Sequence, residues 1–293
     1  MFNLRQSGLA LVAIAAFLGG CESNLAGSSV DSSSSTVANA KAERGRLEFR
    51  ANGEDFVRQG FTSSDGWAIQ FEHVYVTLAD LTASVLEPDG LSSEDNPTTS
   101  PLQQSSPQEA VVTVDGAQTV DLAAGDESAD TILIQSLDAP ATHFKGLTWN
   151  LVPALTGPAQ GEVIQLVGQA EKNGQTVDFV LSWDQPYAYA CGEFVGDERK
   201  GLVKSGVTSD VEATFHFDHI FGDGEAPADD KINQGAVGFS PFAALVSEGG
   251  MVEADREALE AQLSAQDYET LQTTFASLGH VGEGHCDARA IEL

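Results

Sequence analysis

The chain is poor in positive charge. Its 293 residues include 14 lysines and arginines against 44 aspartates and glutamates, a formal net charge of −30. A surface of that sign repels phosphate, which argues against binding DNA or RNA and against adsorption of the body onto anionic head groups. Much of the acidity is what a salty habitat selects for solubility, so by itself it does not mark a metal site. Methionine is almost missing, with Met1 and Met251 the two present; a dedicated Cu(I) carrier built on thioethers would need more. No apolar run reaches the roughly 18–20 residues that a membrane-spanning helix needs. GxSxG elbows, HExxH helices and GxxxxGK phosphate loops are absent as well, so the hydrolase and nucleotide chemistries that use them have no residues to run on. A non-enzymatic role is expected.

Cysteine is scarce, and the three present differ in role. Arg5 precedes a short apolar run over residues 9–18, closed by Leu18-Gly19-Gly20-Cys21. That tetrad resembles the lipobox of bacterial lipoproteins. The resemblance implies that residues 1–20 are a signal peptide and that Cys21 carries lipid as the first mature residue. Glu22 follows, where lipoproteins retained at the inner membrane usually carry Asp, so the resemblance implies anchoring in the outer membrane, facing the periplasm. Removing Arg5 leaves the mature chain one unit more negative. Cys191 and Cys286 then remain, and in an oxidising compartment pairing is their default. Such a bridge would stabilise the fold by about 4–5 kcal/mol in the chain-entropy picture. Thiolate ligation of a metal is the alternative.

Residues 21–45 are rich in Ser, Ala, Asn and Gly and read as a flexible tether, roughly 25 Å end to end by random-coil scaling. The body, residues 46–293, reads mostly as strands. Trp67, Ile69 and Phe71 alternate, then Val74, Val76 and Leu78 continue on the opposite parity, which predicts a bulge near His73. "AVVTVDG", "QTVDLA", "DTILIQSL" and "HFKGLTWNLV" are further β-rich runs. Two more flank Asn173-Gly174, whose residues suit the positive φ of a type I′ turn. Strands at this spacing, with no helical pattern between them, predict an antiparallel β-sandwich or open barrel. A polar insert over 86–108 reads as a loop.

Past Phe221 the pattern changes. Ser240-Pro241 looks like an N-cap and first helical residue, and the stretch 255–263 has helical propensity. Ser264-Ala265-Gln266-Asp267 resembles a capping box ahead of Tyr268, Leu271, Phe275 and Leu278 on one face, with Gly279 ending the helix. A helical cap over 240–279 is expected. The whole resembles the β-sandwich domains of unassigned function found in bacterial envelope lipoproteins.

Histidine is rare too. Of six, four fall in two short stretches, "HFDH" at 216–219 and "HVGEGH" at 280–285. As a strand, Val211, Ala213, Phe215 and Phe217 would face the core and leave His216 and Asp218 on the other face, about 7 Å apart, with His219 where the chain turns. His280, past the expected helix end, and Glu283 and His285, among Gly279, Gly282 and Gly284, could converge. A Cys191–Cys286 bridge would hold them against the sheet. His216, Asp218, His219, His280, Glu283 and His285 are therefore the candidate ligands, the two acids either binding directly or orienting an imidazole. The set suits zinc or copper ahead of iron. The competing view has His216 and His219 paired with nearby acids in a structural network and the glycine-rich tail as a terminal loop.

Three weaker signals accompany it. "TFHFDH" resembles part of the HxHxDH signature of metallo-β-lactamase-type hydrolases, but Thr214 stands at the first histidine position and removes a ligand. Asp223, Glu225, Asp229 and Asp230 offer oxygens to calcium, without the spacing of an EF-hand; a solvated acidic loop is the simpler reading. Trp67, Trp149 and Trp183 could form a sugar-stacking platform, although strand-borne tryptophans usually pack in cores. His73 and His143 lie in apolar strand contexts and are left out. The expectation is a lipid-anchored metal-binding protein, with an envelope transporter or receptor as partner. The alternative is an interaction module that binds glycan or an envelope protein.

Overall fold

The computed structural model describes residues 43–86, 110–126, 128–192, 194, 196, 199–247, 249–282 and 284–293. Cys21, the signal peptide, nearly all of the tether, the polar insert beyond Leu86 and Glu283 lie outside them. No helix among the described residues is long and apolar enough to cross a membrane.

Strand β1 (Arg44–Asn52) leads through helix α1 (Glu54–Gln59) into the short β2 (Phe61–Thr62) and the long β3 (Ala68–Ser84). β4 (Val111–Thr113), β5 (Gln118–Asp121), β6 (Ile132–Pro140), β7 (Gly146–Leu151), β8 (Ile164–Lys172), β9 (Gln175–Trp183) and β10 (Tyr187–Cys191) follow. β11 (Thr208–Phe215) runs into α2 (Asp218–Phe221), α3 (Lys231–Gly235) and α4 (Ser240–Ala243). After them come β12 (Met251–Ala254), α5 (Arg256–Gln262), α6 (Ala265–Ala276), β13 (Gly279–Val281), β14 (Gly284–His285) and β15 (Asp287–Ala290).

The fold is mainly β, in two mixed sheets, neither closed into a barrel. A five-stranded sheet runs β14-β13-β11-β1-β6; the larger runs β12-β9-β8-β3-β7-β10-β15, with β2, β4 and β5 added along β3. Most pairs are antiparallel as expected, but β1 with β11 and β12 with β9 are parallel. Alternation explains the faces: Leu47, Phe49 and Ala51 of β1 and Val211, Ala213 and Phe215 of β11 are fully buried. Each large apolar side chain so placed is worth about 1.5–3 kcal/mol. Trp149 of β7 joins the sheets, stacked on Tyr189 at 5.2 Å and edge-on to Phe215 at 6.1 Å. All three tryptophans are in the core, which leaves no exposed sugar platform.

The bulge shows as a register shift between Phe71 and His73. Asn173 and Gly174 take φ 54° and 79°, the conformation that fixes the β8–β9 hairpin. Two boundaries differ from expectation. The first strand starts inside the expected tether, because Arg44 and Arg46 bond across to Asp138 and Ser136 of β6 and so look from sequence like solvated charge. The helical cap is also interrupted by β12. α6 nevertheless forms as predicted: the Ser264 hydroxyl accepts from the Asp267 amide at 3.1 Å, and Phe275 stacks on Trp183 at 4.3 Å.

Candidate metal centre

β11 ends one residue before His216. The strand does not continue to Asp218, as alternation alone predicts, because Ile220 and Phe221 are both buried and an extended chain would send one of them outward. The backbone turns instead. The His219 amide donates to the His216 carbonyl at 3.2 Å, and the Gly222 amide closes α2 on the Asp218 carbonyl at 2.6 Å. This turn folds His219 back beside His216, with ring centroids 5.2 Å apart.

The tail is also not the loop that its glycines suggest. Helix α6 stops at Ser277, and the chain re-enters the sheet as β13, pairing Thr214 with His280 and Phe215 with Gly279. His280 is therefore a strand residue rather than one at a helix end. Gly279 allows this: a Cβ there would stand 2.5 Å from Cδ1 of Tyr189 and 3.0 Å from Cζ2 of Trp149. Gly282, at φ 54°, turns β13 into β14, so that His280 and His285 are cross-strand partners. Cys286 then bonds to Cys191 and hands the chain to β15 on the other sheet. The disulfide clamps the hairpin against β10.

The result is a cluster. His280 lies at its centre, 4.1 Å from His216, 4.3 Å from His285 and 5.3 Å from His219, ring centroid to ring centroid. One nitrogen each from His216, His219 and His280 lies within 4.8 Å of the others, a group that could hold a metal ion. Two nitrogens on a tetrahedral ion with bonds of 2.0–2.1 Å are about 3.4 Å apart; side-chain rotations of an ångström or so close the difference. His285 is exposed and adjoins the three. Asp218 is not in that group; its Oδ1 is buried without a partner, and burial followed by repulsion from Asp223 raises its pKa to about 6. Glu283 lies outside the described residues. Glu54, at the start of α1, is an addition that no motif signals, with Oε1 3.7 Å from His216 Nε2.

Electrostatics favours cation binding. Burial, then neighbouring imidazoles, pushes His280 down to about 3 and His216 down to about 4, and lowers His219 as well. All three are neutral at pH 7, the state that a metal ligand requires. Both ring nitrogens of His280 and Nε2 of His216 are buried without a hydrogen-bond partner. Each such orphan costs about 1–3 kcal/mol. Thr214, opposite His280, has a buried unpartnered hydroxyl too, well placed by register to serve an imidazole N–H. A groove of about 340 Å³ lined by His219, His285, Lys231, Thr274 and Ser277 reaches the cluster from solvent.

The other candidates do not gather. Asp223 Oδ1 accepts from the Glu225 amide, Asp230 caps α3, and Asn233 organises the turn around Asp223; the Asp223 and Asp230 carboxylates thus serve backbone amides, and no calcium-type group forms among the described residues. His73 pairs with Asp121 at 2.7 Å and His143 sits on an isolated bridge to Leu202. Comparison with known protein families, with curated proteins and with solved structures gives no match.

Proposed function

We propose that this chain is a lipid-anchored envelope protein that binds a divalent transition metal, zinc or copper ahead of iron, and captures, buffers or delivers it on the periplasmic side. One observation carries the reading: neutral imidazoles from two distant segments converge, with both ring nitrogens of His280 and Nε2 of His216 buried and unpartnered. Unpartnered polar groups in the interior cost stability, and a cation bound by these nitrogens reverses that cost. Nitrogen donors without thiolate or thioether suit Zn²⁺ and Cu²⁺ better than Cu⁺. The tetrad ending at Cys21 supports the anchor, and the tether lets the body stand off the membrane toward a transporter or receptor.

The test uses the mature chain with Cys21→Ser. After dialysis, bound metals are measured by elemental analysis and the unfolding midpoint is compared with and without Zn²⁺ and Cu²⁺. The expected result is a rise in midpoint that is lost in a His216→Ala/His280→Ala double variant. No metal and no rise in the parent would return the chain to the interaction-module class.

A further inference from the structure

The first residue of α1 places its carboxylate beside one imidazole of the cluster, that of His216. Glu54 Oε1 lies 3.7 Å from His216 Nε2, beyond a direct hydrogen bond, and that nitrogen is buried without a partner. The distance is close to the separation of about 3.4 Å between two donors on one tetrahedral ion. It is too long for the pair to satisfy each other and nearly right for both to face a cation.

The backbone supports the same assignment. Glu54 adopts φ 65°, a left-handed conformation that residues with side chains take at a cost and that clusters at functional positions. The surroundings hold it there. Asn52 Oδ1 accepts from the Glu54 amide at 2.9 Å, the Asn52 amide group donates to Glu212 at 3.2 Å, and Lys200 donates to Glu212 at 3.1 Å. Gly53 has no room for a side chain, since a Cβ would stand 2.9 Å from Val57 and 3.1 Å from Leu122. Glycine at 54 would meet the same φ without strain; a glutamate there adds a carboxylate beside His216.

We propose that Glu54 is a ligand of the ion held by His216, His219 and His280, giving a three-nitrogen, one-oxygen set with His285 outside the coordination sphere. The inference rests on the metal-binding reading and specifies its chemistry. A carboxylate offsets one of the ion's two charges and favours Zn²⁺, Co²⁺ or Fe²⁺ over Cu⁺.

The experiment compares the Cys21→Ser chain with Glu54→Gln, Glu54→Gly and His285→Ala versions of it. Co²⁺ reports geometry by its visible absorption, and Zn²⁺ affinity is read by competition with a chromophoric chelator. Expected is a changed Co²⁺ spectrum and a Zn²⁺ affinity weaker by at least about tenfold in both Glu54 variants, with His285→Ala keeping the parent spectrum. Metal-free unfolding midpoints of both Glu54 variants are measured alongside, so that loss of a ligand is read apart from loss of structure. A parent spectrum and affinity in the Glu54 variants, with the change appearing in His285→Ala, would overturn the assignment while leaving the metal site standing. A parent that binds neither Co²⁺ nor Zn²⁺ would overturn both.

Discussion

His216 and His280 stack with ring centroids 4.1 Å apart and planes inclined by 27°. One follows the end of β11 and the other lies on the neighbouring β13, so the sheet's own hydrogen bonds hold the pair together: the His216 amide donates to the Leu278 carbonyl at 3.1 Å. Two neutral rings with buried, unpartnered nitrogens are a poor way to fill a core and a good way to present lone pairs. Stability and binding should therefore pull apart at these positions.

His280→Leu tests that separation. His280 is 3% exposed with both nitrogens orphaned, so an apolar side chain of similar volume removes a penalty of about 1–3 kcal/mol. The metal-free variant should unfold at higher urea than the parent, while Zn²⁺ should no longer raise its midpoint. A variant destabilised in the absence of metal would show that the ring makes a structural contribution of its own.

Acid should weaken the fold through the same rings. The unfolded histidines protonate near 6.5, whereas burial holds His280 to about 3 and His216 to about 4. Above pH 6.5 both states are neutral at these positions and pH has no leverage. Between 6.5 and roughly 4, the unfolded chain takes up protons that the folded chain refuses, and each histidine removes up to about 1.4 kcal/mol per pH unit. Asp218 acts in the opposite sense, since its folded pKa of about 6 stands above its ordinary value. The histidine contribution is isolated by difference: urea midpoints from pH 7.5 to 4.5 should fall less steeply for His280→Leu than for the parent. Parallel profiles would refute this source of acid sensitivity.

Much of this was legible in the sequence, and the remainder was hidden for identifiable reasons. Alternation revealed β3 and its bulge, Asn173-Gly174 revealed a hairpin, and the Ser264 box revealed α6, because these signals are local. The oxidising environment implied by the Cys21 tetrad pointed to the Cys191–Cys286 bond, and that bond in turn brought "GHVGEGHC" toward the sheet. β1 stayed hidden because Arg44 and Arg46 at its start find their partners on β6. The turn at His216 stayed hidden because burial of Ile220 and Phe221 overrides the strand alternation of residues 211–217. Glu54 had no signal at all, since its relation to His216 exists only through the β1–β11 pairing.

The disulfide connects stability to the site. Cys191 and Cys286 are 95 residues apart, so opening the bond should cost about 4–5 kcal/mol in the chain-entropy picture. It should also release β14 from β10. A Cys191→Ser/Cys286→Ser chain is expected to denature at lower urea and to bind Zn²⁺ more weakly, because His280 loses the hairpin that positions it. Unchanged Zn²⁺ affinity in that chain would mean that β11 alone orders the cluster.

Gly279 tests positioning by sterics. A methyl group there meets Tyr189 at 2.5 Å and Trp149 at 3.0 Å, contacts that rigid stacked rings cannot absorb. Gly279→Ala should cost about 1–3 kcal/mol and weaken Zn²⁺ binding by displacing His280. Hydrogen exchange at the β13 amides would register the shift; native protection with native affinity would contradict the packing described above.

The most direct measurement is a crystal of the Cys21→Ser chain grown with Zn²⁺ and recorded on both sides of the zinc absorption edge. A single anomalous peak about 2.0–2.2 Å from one nitrogen each of His216, His219 and His280 is the predicted result. A peak elsewhere, or none with the three rings ordered as a hydrogen-bonded stack, would contradict it.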